Sequence, residues 1–120
     1  MYIPDRNDII SIDFEPVKGK EIGKYRPALV LSSKAYNEAT KLIICCPIST
    51  SIRGGALEVP INNLDKKSVV ASSIVQTLSW KTRGVKFITH AEPNVMQKVH
   101  ERLLPMLGAQ EYIESQINND

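Results

Sequence analysis

The chain has 120 residues, 42% of them apolar and 23% charged, with a formal net charge of +2. That length suggests one domain, large enough to bury roughly 65–70% of its unfolded surface. No apolar run approaches the ~20 residues needed to span a bilayer. The opening MYIPDRNDII carries acids where a secretory leader needs bases and an apolar stretch. A cytoplasmic protein with no membrane partner is therefore expected.

Ile9–Phe14 alternates, with Ile10, Ile12 and Phe14 on one side and Ser11 and Asp13 on the other, which predicts a half-buried strand. EPVKGKEIGKY, rich in Gly and charge, reads as a long loop. RPALVLSS is a short apolar strand, and Pro27, which cannot donate to a ladder, fits at its start. KAYNEAT predicts a helical turn or short helix. KLIICCPIST is apolar enough for a central strand buried on both faces, with Cys45 and Cys46 pointing to opposite sides. SIRGG is a turn, ALEVPI a short strand, and NNLDKK another turn. SVVASSIVQTLSW predicts two short strands broken at Ser72–Ser73, with a further strand at Gly84–Thr89.

A long helix is predicted from Glu92–Pro93, since proline suits the first helical position. Met96, Val99, Leu103 and Leu107 make its core-facing stripe, Pro105 distorts its last turn, and Gly108 stops it. Residues 109–120 are a short polar, acidic extension able to add a weak helix. Short strands with frequent turn signals and one C-terminal helix imply a mainly β protein, a small barrel capped by a helix.

Residues 16–91 hold twelve Lys and Arg against four Asp and Glu, while both ends are acidic. A basic middle suits a polyanion; a solvated charged face is the bland alternative. The adjacent Cys45 and Cys46 form no metal or disulfide pattern. HExxH, CxxC, Walker and GxGxxG motifs are all missing, so no metal and no cofactor are expected. His90 and His100 are acid–base candidates, but nothing in their spacing brings them together. The richer cluster is Lys18, Lys20, Glu21, Lys24 and Arg26 around the first loop, with Ser49, Thr50, Ser51 and Arg53 at the end of the apolar strand. If those strands pair antiparallel, Arg26 and Ser49 meet at one rim. RNA brings its own nucleophile, the 2′-OH. Such a rim offers charge stabilisation from Arg26, a proton acceptor in Glu21 and a hydroxyl from Ser49.

DIISIDFEPVKGKEIGKYRPALVLS, followed by IICCPISTSIRGGALEV and SVVASSIVQTLSWKTRG, resembles the MazF/PemK-like toxin endoribonucleases over roughly residues 7–108. The resemblance implies a toxin domain over residues 1–108 with an SH3-like barrel of the CcdB/MazF type, working as a homodimer. It implies metal-independent, sequence-specific cleavage of single-stranded RNA, and a cognate antitoxin with a flexible acidic–apolar segment. Arg26 and Glu21 match the family's catalytic arginine and loop carboxylate. Where the family usually places Thr, this chain has Ser49 followed by Thr50, so either hydroxyl can serve. Lys18, Lys20, Thr50, Ser51 and Arg53 are the expected RNA contacts. Ser73-Ile74 replaces the family's Asp-Gln pair, and Gln76 and Thr77 are candidate substitutes. The same fold carries CcdB-like toxins that act on a protein target such as gyrase, and a non-catalytic RNA-binding relative is a further alternative. The chain ends in INND without Trp, while Arg26 and Ser49 are present, which favours RNA cleavage.

Overall fold

The computed structural model describes residues 1–15 and 24–118, so the expectations on Lys18, Lys20 and Glu21 fall outside the described residues. Its elements in chain order are β1 (Asp8–Asp13), β2 (Tyr25–Val30), α1 (Lys34–Thr40), β3 (Leu42–Ser49), β4 (Glu58–Ile61), β5 (Ser68–Ala71), β6 (Gln76–Ser79), β7 (Lys86–His90), α2 (Val95–Met106) and α3 (Ala109–Asn118). The strands pair antiparallel in the order β4-β5-β3-β2-β1-β7, and β6 joins β3 off that path. The result is a curled half-barrel, mainly β as expected.

The long strand β3 is the hinge of this curl. Its first half pairs with β6 (Leu42↔Ser79 to Cys45↔Gln76), and its last residues pair with β5 (Ile48↔Val70, Ser49↔Val69). Side chains alternate across it, so Cys46 and Ile48 enter one apolar cluster and Ile43 and Cys45 the other. The first cluster joins β1, β2, β4 and β5 to Val95 and Val99 of α2. The second gathers Ile10, Ile12, Ala28 and Val30 around Trp80. The Trp80 indole N–H donates to the Asn37 carbonyl at 2.8 Å, which ties α1 to that core.

Three local expectations need correction. β1 is buried on both faces, with Ile9, Ile10 and Ile12 all at 0% exposure, because it runs between β2 and β7 with an apolar cluster on each side. α2 begins at Val95 rather than Glu92–Pro93, because Asn94 takes a left-handed backbone (φ 74°) and cannot continue a helix toward Pro93. Leu107, placed on the core stripe by spacing, is 69% exposed: α2 ends at Met106 and the chain turns at Gly108 (φ 73°) before α3. No residue of α3 is buried. Among the described residues, no helix is long and apolar enough to cross a membrane.

Candidate active site

Two prolines open the sheet where the site lies. The β2–β3 ladder runs from Val30↔Cys45 to Ala28↔Pro47 and stops there. Neither Pro27 nor Pro47 has an N–H to extend it. Past that point β3 turns toward β5, where Ser49 pairs with Val69, and the next residues on each side, Thr50 and Ser68, both line the groove. The parting strands leave a groove of about 270 Å³ lined by Arg26, Thr50, Ser11, Ser68, Asp65 and Lys66. Apolar walls come from Pro27, Leu64 and Ile88. Arg26 is exposed at the start of β2. Its position there is held by β1, where Ile12 is its pairing partner.

Ser49 lies elsewhere. Its hydroxyl accepts the Ser51 backbone N–H at 3.0 Å, and it lines a second cavity of about 450 Å³. That cavity also takes Ser51, Arg53, Ser73 and Ile74. Alternation at the end of β3 explains the separation, since successive residues point to opposite faces. The structure thus brings Arg26 together with Thr50, and Ser49 together with Ser51 and Arg53. The loop between β3 and β4 is organised by Glu58. One oxygen of its carboxylate accepts the N–H of Gly54 at 2.8 Å and of Gly55 at 3.2 Å, and the other accepts that of Arg53 at 3.1 Å. Three successive amides around one carboxylate make an anion nest filled by the chain's own side chain.

The base of the first loop is stapled from two sides. The Phe14 N–H donates to the Lys24 carbonyl at 2.9 Å, and Lys24 pairs with Glu15 at 3.3 Å. Arg83 donates one guanidinium nitrogen to the carbonyls of Asp13 and Phe14, at 3.1 and 3.0 Å. This clamp sets the exit of β1 and the entry to Arg26.

Gln76 and Thr77 pair with Cys45 and Ile44 on the first half of β3, away from both cavities. The two histidines stay apart. His90 Nδ1 lies 3.0 Å from a buried Asp8 oxygen, while His100 lies beside Arg6. Burial, and then Arg6, lower the His100 pKa below 6.5. Burial pushes the Cys45 and Cys46 thiols up to about 12 and about 11, which makes them inert core groups rather than nucleophiles. Ser11, Asp65, Lys66 and Ser68 are groove residues that sequence reasoning missed. The only signal for Lys66 was a lysine pair in a turn, and nothing local says which surface a turn covers.

The chain matches the family described as PemK-like, MazF-like toxin of type II toxin-antitoxin system over residues 5–107. The endoribonuclease toxin MazF of Escherichia coli (strain K12) is 32% identical over 107 residues, covering 89% of this chain and 96% of its own. The crystal structure of MazF (Form-I) from Deinococcus radiodurans superposes with a TM-score of 0.80 at 34% identity, covering 90% of this chain and 99% of that one. The MazE-MazF (Form-II) crystal structure from the same organism gives 0.81 at 34% identity, covering 90% and 98%.

Proposed function

The chain belongs to the PemK-like, MazF-like toxins of type II toxin–antitoxin systems, and we propose that it is an endoribonuclease that cuts single-stranded RNA at the Arg26 groove without a metal ion. The observation that carries this reading is the shared groove of Arg26 and Thr50, a guanidinium and a hydroxyl lining one open space at the sheet rim. In the proposed reaction the ribose 2′-oxygen attacks the adjacent phosphorus and the P–O5′ bond breaks. The products are a 2′,3′-cyclic phosphate and a 5′-hydroxyl, the departing 5′-oxygen taking its proton from water. Arg26 balances the charge that grows on the non-bridging oxygens, and donors aimed at developing charge are usually the largest catalytic term. Thr50 donates a hydrogen bond to one of those oxygens. Ser49 lines the second cavity rather than the Arg26 groove, which favours Thr50 for this role. Glu21 is the proposed acceptor of the 2′-OH proton, on its match to the family's loop carboxylate.

Ser51 and Arg53, with Ser73 and Ile74, offer hydroxyl, cationic and apolar surface to RNA beside the scissile site. Lys18 and Lys20 add charge for flanking phosphates. We assign the working form as a homodimer; exposed Phe87 on the edge strand β7, outside the groove that Ile88 lines, gives it apolar surface to bury. A cognate antitoxin with an acidic–apolar segment, in the cytoplasm, completes the reading; the MazE-MazF complexes of the Deinococcus relative support an antitoxin partner. The test is incubation of a long defined RNA with the protein in EDTA, followed by mapping of the cut ends. Cyclic phosphate and 5′-hydroxyl ends at a recurring motif are expected. Intact RNA, or cleavage that needs added Mg²⁺, rejects the mechanism.

A further inference from the structure

The turn between β4 and β5 is held unusually well for an exposed connection. The Asn62 N–H donates to the Glu92 carboxylate at 2.5 Å, and the Asn63 side-chain amide donates to the His90 carbonyl at 2.9 Å. Leu64 packs against the apolar cluster under α2. Ser68, only 3% exposed, donates its hydroxyl to the Lys66 carbonyl at 2.8 Å. Four anchors therefore hold this turn, and it reaches the groove with Asp65 and Lys66. Its next residue, Lys67, is also exposed but does not line the groove.

Among the described residues, the charged groove lining is Arg26, Lys66 and Asp65. Without Lys66, Asp65 offsets the charge of Arg26 and the described lining carries no net positive charge for a polyanion. We propose that Lys66 is a second cation of the RNA groove, sharing with Arg26 the charge of the phosphate that is cleaved. This rests on the endoribonuclease reading of the groove. Attack by the 2′-oxygen adds negative charge to the non-bridging oxygens. Cations presented from a strand and an anchored turn meet that charge without having to reorganise.

The experiment compares wild type with Lys66→Ala, Lys66→Arg and Lys67→Ala, each checked for fold by circular dichroism. Cleavage is followed on an RNA carrying the mapped motif. Binding is followed on a fully 2′-O-methylated RNA across a salt series. Lys66→Ala is expected to lose about 10²-fold in kcat, well beyond a rise of about fivefold in KM from the lost phosphate contact. Lys66→Arg restores most of it, and Lys67→Ala behaves as wild type. The slope of log affinity against log salt falls by about 0.7 in Lys66→Ala and is unchanged in Lys67→Ala. A Lys66→Ala enzyme within twofold of wild type, an equal loss in Lys67→Ala, a rise in KM alone, or an unchanged slope overturns the inference. If the wild type cuts no RNA, the nuclease reading falls, and the slope still decides whether Lys66 meets a phosphate.

Discussion

At the scale of single residues, the proposed chemistry divides between a charge and a hydroxyl. Arg26→Ala should lower kcat about 10²–10³-fold, because it removes the main stabiliser of phosphoryl charge. Its side chain is exposed, so the fold should survive. Single-turnover cleavage with a circular dichroism control checks this, and a variant that still cuts at the wild-type rate sinks the assignment. Thr50→Ala and Ser49→Ala separate the two neighbouring hydroxyls. Thr50 shares the groove with Arg26, whereas Ser49 supports Ser51, so Thr50→Ala should cost about tenfold or more in kcat. Ser49→Ala should spare the cleavage step itself. The reverse ranking would return the role to Ser49.

At the scale of elements, two small devices set the rims of the sheet. Glu58 at the start of β4 caps the amides of Arg53, Gly54 and Gly55. Glu58→Ala should cost about 1 kcal/mol in urea unfolding. It should also speed amide exchange at those three residues, because water replaces the lost acceptor only in a looser loop. Protection factors equal to wild type would show that the loop holds itself. Gly84, between β6 and β7, has φ +64°, and a Cβ there would meet the Tyr25 hydroxyl at 2.6 Å. Gly84→Ala therefore combines left-handed backbone strain with a clash against the residue preceding Arg26. A loss of ~1–3 kcal/mol is expected in thermal or denaturant unfolding. A neutral substitution would mean that Tyr25 swings aside freely.

At the scale of the whole molecule, the curl of the sheet decides what meets what. Light scattering should return twice the 13.4 kDa chain mass, and a fully active monomer contradicts the proposed dimer. Much of the fold was legible in the chain itself. Apolar runs bounded by turn residues predicted most strands, and the two-residue strand period placed Cys45 and Cys46 on opposite faces, as their separate clusters confirm. The R-P-A-x-V-L-S block pointed to Arg26, although β2 begins at Tyr25, two residues ahead of the proline expected to open it. These features are local, because backbone period and proline chemistry act within a few residues. The partners of Arg26 are not local. Thr50 rather than Ser49 lies with it because β3 leaves β2 at two prolines and takes up β5, a matter of register between strands distant in sequence. Lys66 joins them because its turn is pinned to the end of β7 and to Glu92 in the link that follows it. The sequence by itself determined the strands and the arginine. Only the tertiary structure decided which hydroxyl and which second cation share its groove, since cross-chain pairing is set by the packing of the whole sheet rather than by any segment within it.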